Sequence, residues 1–589
     1  MKSSWLACGF VFPLGLLLAT SVAAAESEPR TIPEAAQLLP PTVVAYAQIP
    51  DLSATATELL DHPLRQRVEA LPAYGALRES EGFGKLSDAV AAFEASLGMP
   101  WRDALSGLTS GGIHFALDRS TEGVALLIRA DNSATLERFR GFVLGLAQMT
   151  TGRIGPLEQG QYRGITAQAI NANLKMAQLD DWLLVTNKSE LGKRILDQYL
   201  DGGDDNLASS PKFRQACASI ADVSAWGWVD VQAFRDAGIA PRLYEGKTDN
   251  PLAEVLAGGI LSELQHTPFA VATINVDQDG VAVNATSPHR RQWQTGREYF
   301  FGTQSDVAPP LLHPPDRLFA ASLHRDLSQM WLRSGDLMTE KANEGLAKAD
   351  TQLTTFFSGR DFGEDILGSL RPDIQLVVTV QDFQHRQPQP AIKLPAFALK
   401  FQMKDPERTR PEFRRVFQSF IGFLNVVGAM DGQPQFDLGS VQLDSATLIT
   451  ATYVPQVGQE ESTEAPINFN FSPTLGFAGP TLVLSSTTEL AHRLVQTVEP
   501  PAPVAVESDA NTAAILNGET LKRVLEQNRA QLVAQNMLEK GHAPAQAEAE
   551  IGTLLDLVSL LRDARVSLIV DDDQLRLSAA VRVDSESQE

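Results

Sequence analysis

LLVTNKSELGKRIL, at residues 183–196, is answered 299 positions later by LVLSSTTELAHRLV at 482–495. Each copy reads as an apolar strand, a short polar turn and a helix. Three further pairs follow the same order in both parts of the chain. LLPPTVVAYAQIPDLSA (38–54) is answered by LLHPPDRLFAASLHRDLSQ (311–329), AWGWVDVQAF (225–234) by AAILNGETL (513–521), and FAVATINVDQDGVAVNATS (269–287) by ARVSLIVDDDQLRLSAAV (564–581). One ordered set of elements carried twice constrains the chain to two similar units, because each unit must bury the same pattern of apolar faces.

The elements set the class. Leu575, Leu577, Ala579, Val581 and Val583 alternate with Arg576, Ser578 and Arg582, the period of a strand with one wet face. The turns DQDG (277–280) and DDDQ (571–574) are short, so the strands they join are antiparallel. Further strands are expected at 111–118, 123–130, 374–382 and 396–403. Helices are expected near 55–72, 134–147, 190–200, 252–265, 323–349, 408–428 and 518–561. The expected fold is α+β: two tandem divergent repeats, each with antiparallel sheet packed against helices. The boundaries read as a signal peptide at 1–25, repeat 1 at 26–290, a linker at 291–316, repeat 2 at 317–584 and a disordered tail at 585–589. The basic-aromatic start of HRRQWQTGREYFFG, from 289, is expected to pack along a domain seam. PPAPVAVES (500–508) reads as a linker inside the second repeat.

The shared residues of the opening pair have structural roles. Asn187-x-x-Glu190 and Ser486-x-x-Glu489 read as capping boxes. Leu191, Ile195 and Tyr199 fall on one helix face, as do Leu490, Leu494 and Val498. Glu190–Arg194 and Glu489–Arg493 are i,i+4 pairs in the favourable order.

Residues 9–20 form an apolar core after Lys2, and Ala23-Ala24-Ala25 supplies a cleavage site, so the chain is expected to be exported, to a periplasmic or extracellular location. No later stretch has the 18 apolar residues of a membrane span. Loss of the signal removes Cys8 and leaves Cys217 alone, so the mature chain has no intramolecular disulfide to rely on. It also removes Lys2 and no acid. The mature balance, 48 basic minus 72 acidic residues, is −24, which disfavours nucleic acid and anionic surfaces as partners.

The nine His residues are never closer than eleven apart, which gives no zinc-site spacing. Asn275-x-Asp277-x-Asp279-Gly280 begins like a calcium loop, but position twelve is Thr286 instead of Glu, so it reads as an acidic hairpin turn. Ser209-x-x-Lys212 lacks the companion motifs of penicillin-recognising enzymes, and Ser209 reads as the cap of a helix at 211–219. No phosphate-binding glycine loop is present. Trp226 and Trp228 share a strand face and read as core. No catalytic, metal or cofactor-binding residue is assigned, and no cofactor is expected.

Three features together, LPPTVVAYAQIPDLSA, DDWLLVTNKSELGKRILD and the N-terminal signal, resemble a family of exported bacterial proteins of unknown function, of the planctomycete type. The resemblance is best in the first repeat. In the second, Pro-Asp-Leu becomes Arg325-Asp326-Leu327. It implies an exported α+β protein and carries no catalytic residues. The expected function is non-catalytic, binding or scaffolding in the periplasm or cell envelope, with an envelope protein or an apolar ligand as partner. The alternatives are a carrier of an apolar ligand and a hydrolase whose site is assembled from scattered residues.

Overall fold

A computed structural model describes residues 32–151, 158–257, 259–260, 264–289, 307–357, 359–384, 389–430, 432–454, 464–465, 467–496, 510–570 and 573–584. Residues 1–31, 290–306, 497–509 (with Val498) and 585–589 lie outside them, and so do the readings made there.

Twenty strands form one continuous sheet, and every ladder in it is antiparallel. The N-terminal half contributes β1 (Val43–Ile49), β2 (Ile113–Asp118), β3 (Gly123–Arg129), β4 (Gln159–Tyr162), β5 (Ile165–Ala169), β6 (Lys175–Leu179), β7 (Trp182–Thr186), β8 (Ala225–Val229), β9 (Ala270–Asp277) and β10 (Gly280–Pro288). The C-terminal half contributes β11 (Arg317–His324), β12 (Leu370–Thr379), β13 (Ala396–Met403), β14 (Phe436–Gln442), β15 (Ala446–Tyr453), β16 (Thr474–Ala478), β17 (Thr481–Ser485), β18 (Thr512–Asn517), β19 (Leu561–Val570) and β20 (Gln574–Val583). A two-residue parallel pairing of 389–390 with 464–465 stands apart.

In the N-terminal half the spatial order is β4-β5-β6-β7-β3-β2-β1-β8-β9-β10. In the C-terminal half it is β14-β15-β16-β17-β13-β12-β11-β18-β19-β20. Adding ten to each strand number converts one order into the other. The halves join edge to edge through β10 and β20, in register from Gly280↔Arg582 to Pro288↔Gln574, with Asn284 opposite Ser578 at the centre.

Helices cover both faces. One face carries α1 (Ala35–Leu38), and the opposite face of the same half carries α2 (Ser133–Thr151). With α1 lie α3 (Ser189–Asp201) and α4 (Pro211–Ala218), whose Leu191, Ile195, Phe213 and Ala216 meet Tyr46, Leu127, Trp226 and Trp228. A short helix, α5 (Pro251–Ala257), reaches across to the C-terminal half. There α6 (Pro406–Met430) sits on one face, packing Phe417 and Ile421 on Met403, Leu475 and Leu482. On the other face α7 (Thr488–Gln496) packs Leu490 and Leu494 on Ala398, Leu448 and Val483. The apolar i,i+4 stripe read for α3 and α7 is the stripe that docks.

Local details differ from the sequence reading. The expected capping boxes are displaced. Asn187 instead accepts the Val124 N–H across the sheet at 2.7 Å, and α3 starts from Lys188 with no side-chain cap. In the second copy Ser486 accepts the Phe397 N–H, and Thr487 receives the Leu490 N–H. A strand neighbour competes for the first polar residue after each strand, so any capping moves downstream. Ser209 is not the cap of α4 either: its hydroxyl turns to Asp204 and Asn206, and Ser210 precedes Pro211 at the helix start. The single stretch expected at 518–561 is three helices, Gly518–Gln527, Arg529–Lys540 and Pro544–Val558, broken at Asn528 and at the left-handed Gly541. The helices at Pro72–Arg78, Glu81–Leu97 and Trp101–Leu108 were not foreseen.

Candidate functional site

Matching β-ladders allow position-by-position comparison of the halves. One inward-facing row runs Leu184–Leu127–His114–Gln48–Trp226. The matching row runs Val483–Lys400–Gln375–Ser322–Ala513. Two residues along, Arg129 lies opposite Trp182, and Gln402 lies opposite Thr481.

In the N-terminal half this region is filled. The Trp182 ring packs 5.6 Å from the His114 ring, and the Arg129 guanidinium lies 5.5 Å over the Trp182 face. Arg129 also reaches Asp181 at 3.0 Å and Glu34 at the start of α1. Tyr46, Phe213, Trp226 and Trp228 extend the cluster, and Leu127 is 1 % exposed. His114 takes a fixed tautomer: Nδ1 accepts from the Tyr46 hydroxyl at 2.8 Å, and Nε2–H donates to the Gly111 carbonyl at 3.1 Å. Burial pushes its pKa down to about 4, with Arg129 adding to the effect.

In the C-terminal half the corresponding Trp is Thr481, the Arg is Gln402, the His is Gln375 and the Leu is Lys400. Smaller and polar side chains leave a cleft of about 870 Å³ between the sheet, the end of α7 and the Pro-rich segment 309–315. Its size is that of a small-molecule site. The apolar wall is Leu311, Leu312, Ala478, Leu494 and Val495. The wall is pinned: the Gln375 amide donates to the Pro310 carbonyl at 2.6 Å, the Ser322 hydroxyl donates to the Pro309 carbonyl, and the Gln402 amide donates to Thr481 Oγ1 at 3.2 Å.

Lys400 projects from the middle of β13 into this cleft. Its ammonium group has no hydrogen-bond or ion-pair partner among the described residues, and burial lowers its pKa. His313 stands at the same wall, with Nδ1–H donating to the Leu311 carbonyl at 2.7 Å, and burial holds its pKa down too. Arg493 separates this cleft from a more polar one of about 450 Å³, where Arg523 pairs with Asp316 at 2.6 Å. A third cavity, of about 160 Å³, lies beneath α3 against Tyr162, Met176 and Leu196.

The residues weighed from sequence fall elsewhere. Glu190 and Arg194 form a 3.9 Å ion pair on the outer side of α3. Lys212 is held by Asp230 at 2.9 Å and does not meet Ser209. Asp277 accepts the N–H groups of Asp279 and Gly280 and closes its hairpin. Trp226 and Trp228 are core, and Cys217 is buried. Among the described residues no group of three or more His, Cys, Asp or Glu is placed to hold a metal ion, and no helix is long and apolar enough to cross a membrane. Lys400 escaped the sequence reading, although a signal was present: in AFALKFQM it shares parity with Ala396 and Ala398, the buried side of the strand.

No family model and no curated protein matches the chain. Among solved structures the chain is similar to TP0453. Crystal form IV of that protein aligns over 45 % of this chain and 81 % of its own, at TM-score 0.23 and 8 % identity. Crystal form I aligns over 44 % and 78 %, at TM-score 0.24 and 10 % identity. A likeness this loose indicates neither a shared site nor a shared ligand.

Proposed function

We propose that this chain is an exported, non-catalytic binding protein of the periplasm or cell envelope, related to the planctomycete-type exported family. It is built from two tandem repeats that have diverged in role. The first repeat is a filled, structural copy. The second is the copy that holds an apolar ligand. One observation carries the reading: at equivalent ladder positions Trp182, Arg129, His114 and Leu127 are exchanged for Thr481, Gln402, Gln375 and Lys400, and a cleft stands where the first half is packed. Interiors are close-packed, so a space of this size is retained only against the stability that filling it would add. The identical strand order of the halves supports duplication as the origin.

The test fills the cleft with the residue of the other half. Native mass spectrometry of the mature protein, taken gently from its own envelope fraction, should show added mass of a few hundred daltons that denaturation removes. Thr481→Trp should lose that mass while remaining folded. A bare wild-type chain, or a variant that keeps its load, would sink the carrier.

The scaffolding reading rests on a separate feature. Phe420, Phe423, Val426 and Met430 form an exposed apolar stripe on α6, beside β14, an exposed strand with one partner among the described residues. A photo-crosslinker at position 423 that captured one envelope protein in cells, and lost it on Met430→Glu, would favour that reading over the carrier.

A further inference from the structure

We infer that the cleft of the C-terminal half selects amphiphilic anions, with a small carboxylate- or phosphate-type head against Lys400 and an apolar tail along Leu311, Leu312, Leu494 and Val495. The inference rests on the binding reading above but on a different observation, the charge of the cleft instead of its volume.

The chain carries 72 acidic residues against 49 basic ones. Yet none of the described residues lining this cleft is Asp or Glu, while Lys400 and Arg493 both line it. Lys400 is half-buried on the inner side of its strand, where an ammonium group ordinarily finds a carboxylate because losing hydration without a partner is costly. Lys400 has none among the described residues. Its neighbours on the adjoining strands supply no negative charge: Val483 is apolar, and Gln375 is a neutral amide whose Nε2 donates to the Pro310 carbonyl. The equivalent Leu127 shows that the position accepts an apolar side chain, so the fold does not require the charge. A ligand supplying one negative charge satisfies the amine, and its apolar body covers the wall beside it. Lys acts here as a point charge and does not present the bidentate fork of Arg, so it admits either head chemistry.

The experiment uses the full mature chain, stripped of bound lipid-like material, with the neutral fluorophore 1-N-phenylnaphthylamine as reporter. Dodecanoate, dodecyl phosphate and dodecanol compete for it. In the wild type at least one anion should displace the reporter at roughly tenfold lower concentration than the alcohol. Lys400→Met should still bind the reporter while anion and alcohol compete alike, and Lys400→Arg should restore the preference. Reporter binding serves as the control for folding. The better of the two anions identifies the head. If dodecanol competes as well as both anions, or Lys400→Met leaves the preference intact, the anion assignment is overturned and the apolar carrier stands. If the reporter does not bind, or binds Thr481→Trp as tightly as wild type, the carrier reading fails with it.

Discussion

Single residues in this protein are exposed to opposite demands at equivalent positions. His114 is 2 % exposed, and both its nitrogens are committed as a neutral ring. Burial lowers its pKa from 6.5 to about 4. The unfolded chain therefore takes up the proton first as pH falls. The stability from a neutral His114 is complete above about 6.5 and is lost as pH drops through about 4, a change of roughly 3 kcal/mol. Urea unfolding at pH 7 and pH 4.5 should show this loss in the wild type, and His114→Gln should reduce it. An unchanged pH dependence in the variant would remove His114 from the account. At the matching row of the other half, Lys400→Met should do the reverse of most core-facing substitutions. It should raise the stability of the protein by about 1 kcal/mol, because a half-buried amine with no partner among the described residues is replaced by an apolar chain of similar length. Thermal unfolding checks this, and a marked fall in melting temperature would mean that Lys400 has a structural partner.

Strands and helices show which parts of the fold were legible in the sequence. The hairpin β9–β10 was readable from its short turn DQDG, and its Gly280 is where substitution should cost most. Gly280 has φ +147°, and an added Cβ would stand 2.1 Å from the Val581 carbonyl oxygen on the facing strand. Gly280→Ala should therefore destabilise the protein by roughly 2–4 kcal/mol and loosen the start of the β10–β20 ladder, read by amide exchange at 280–284. Full protection there would show that the ladder tolerates the clash. The strand AFALKFQM and the pair β7–α3 and β17–α7 were also legible, because strong periodicity and a turn mark them. The edge strand β14 was not: FDLGSVQ is exposed along nearly its whole length and has no buried parity to betray it. The caps at Asn187 and Ser486 were misplaced because a strand neighbour 63 residues away, or 89 residues away, competes for the same oxygen. The cleft was beyond reach for a related reason. Lys400 and Gln402 share a strand, but Thr481, Gln375 and the Pro-rich wall reach them only through pairings and side-chain bonds between segments far apart in sequence.

At the scale of the molecule, the two halves are held by more than the β10–β20 ladder. The segment leading into α5 crosses the junction: Thr248 bridges Met338, Lys247 donates to the Gly335 carbonyl at 2.8 Å, and Arg325 Nε donates to the Val255 carbonyl at 2.7 Å. Arg325 is fully buried and donates also to the His324 carbonyl, Asn511 and Thr512; burial lowers its pKa to about 9, so it is charged at neutral pH. Beside it Glu254 is also fully buried, and neither of its carboxyl oxygens receives a hydrogen bond among the described residues. Burial raises the Glu254 pKa from 4.5 to about 7, although the Arg325 charge pulls the other way. The folded state thus holds this proton more tightly than the unfolded state. The contribution is complete below about 4.5 and is lost as pH rises through about 7, on the order of 3 kcal/mol at most. The α5 contact should therefore loosen on the alkaline side, the opposite direction from the His114 effect within the N-terminal half. Amide exchange in 251–257 should quicken between pH 5 and pH 8 beyond its intrinsic chemical rate. Glu254→Gln, neutral at every pH, should flatten that response and be the more stable protein at pH 8. Equal pH responses in wild type and variant would place the titrating group elsewhere. With the expected result, the α5 contact is tightest in mild acid and the N-terminal core is tightest above about pH 6.5, so the two regions respond to pH in opposite directions while the β10–β20 ladder joins the halves.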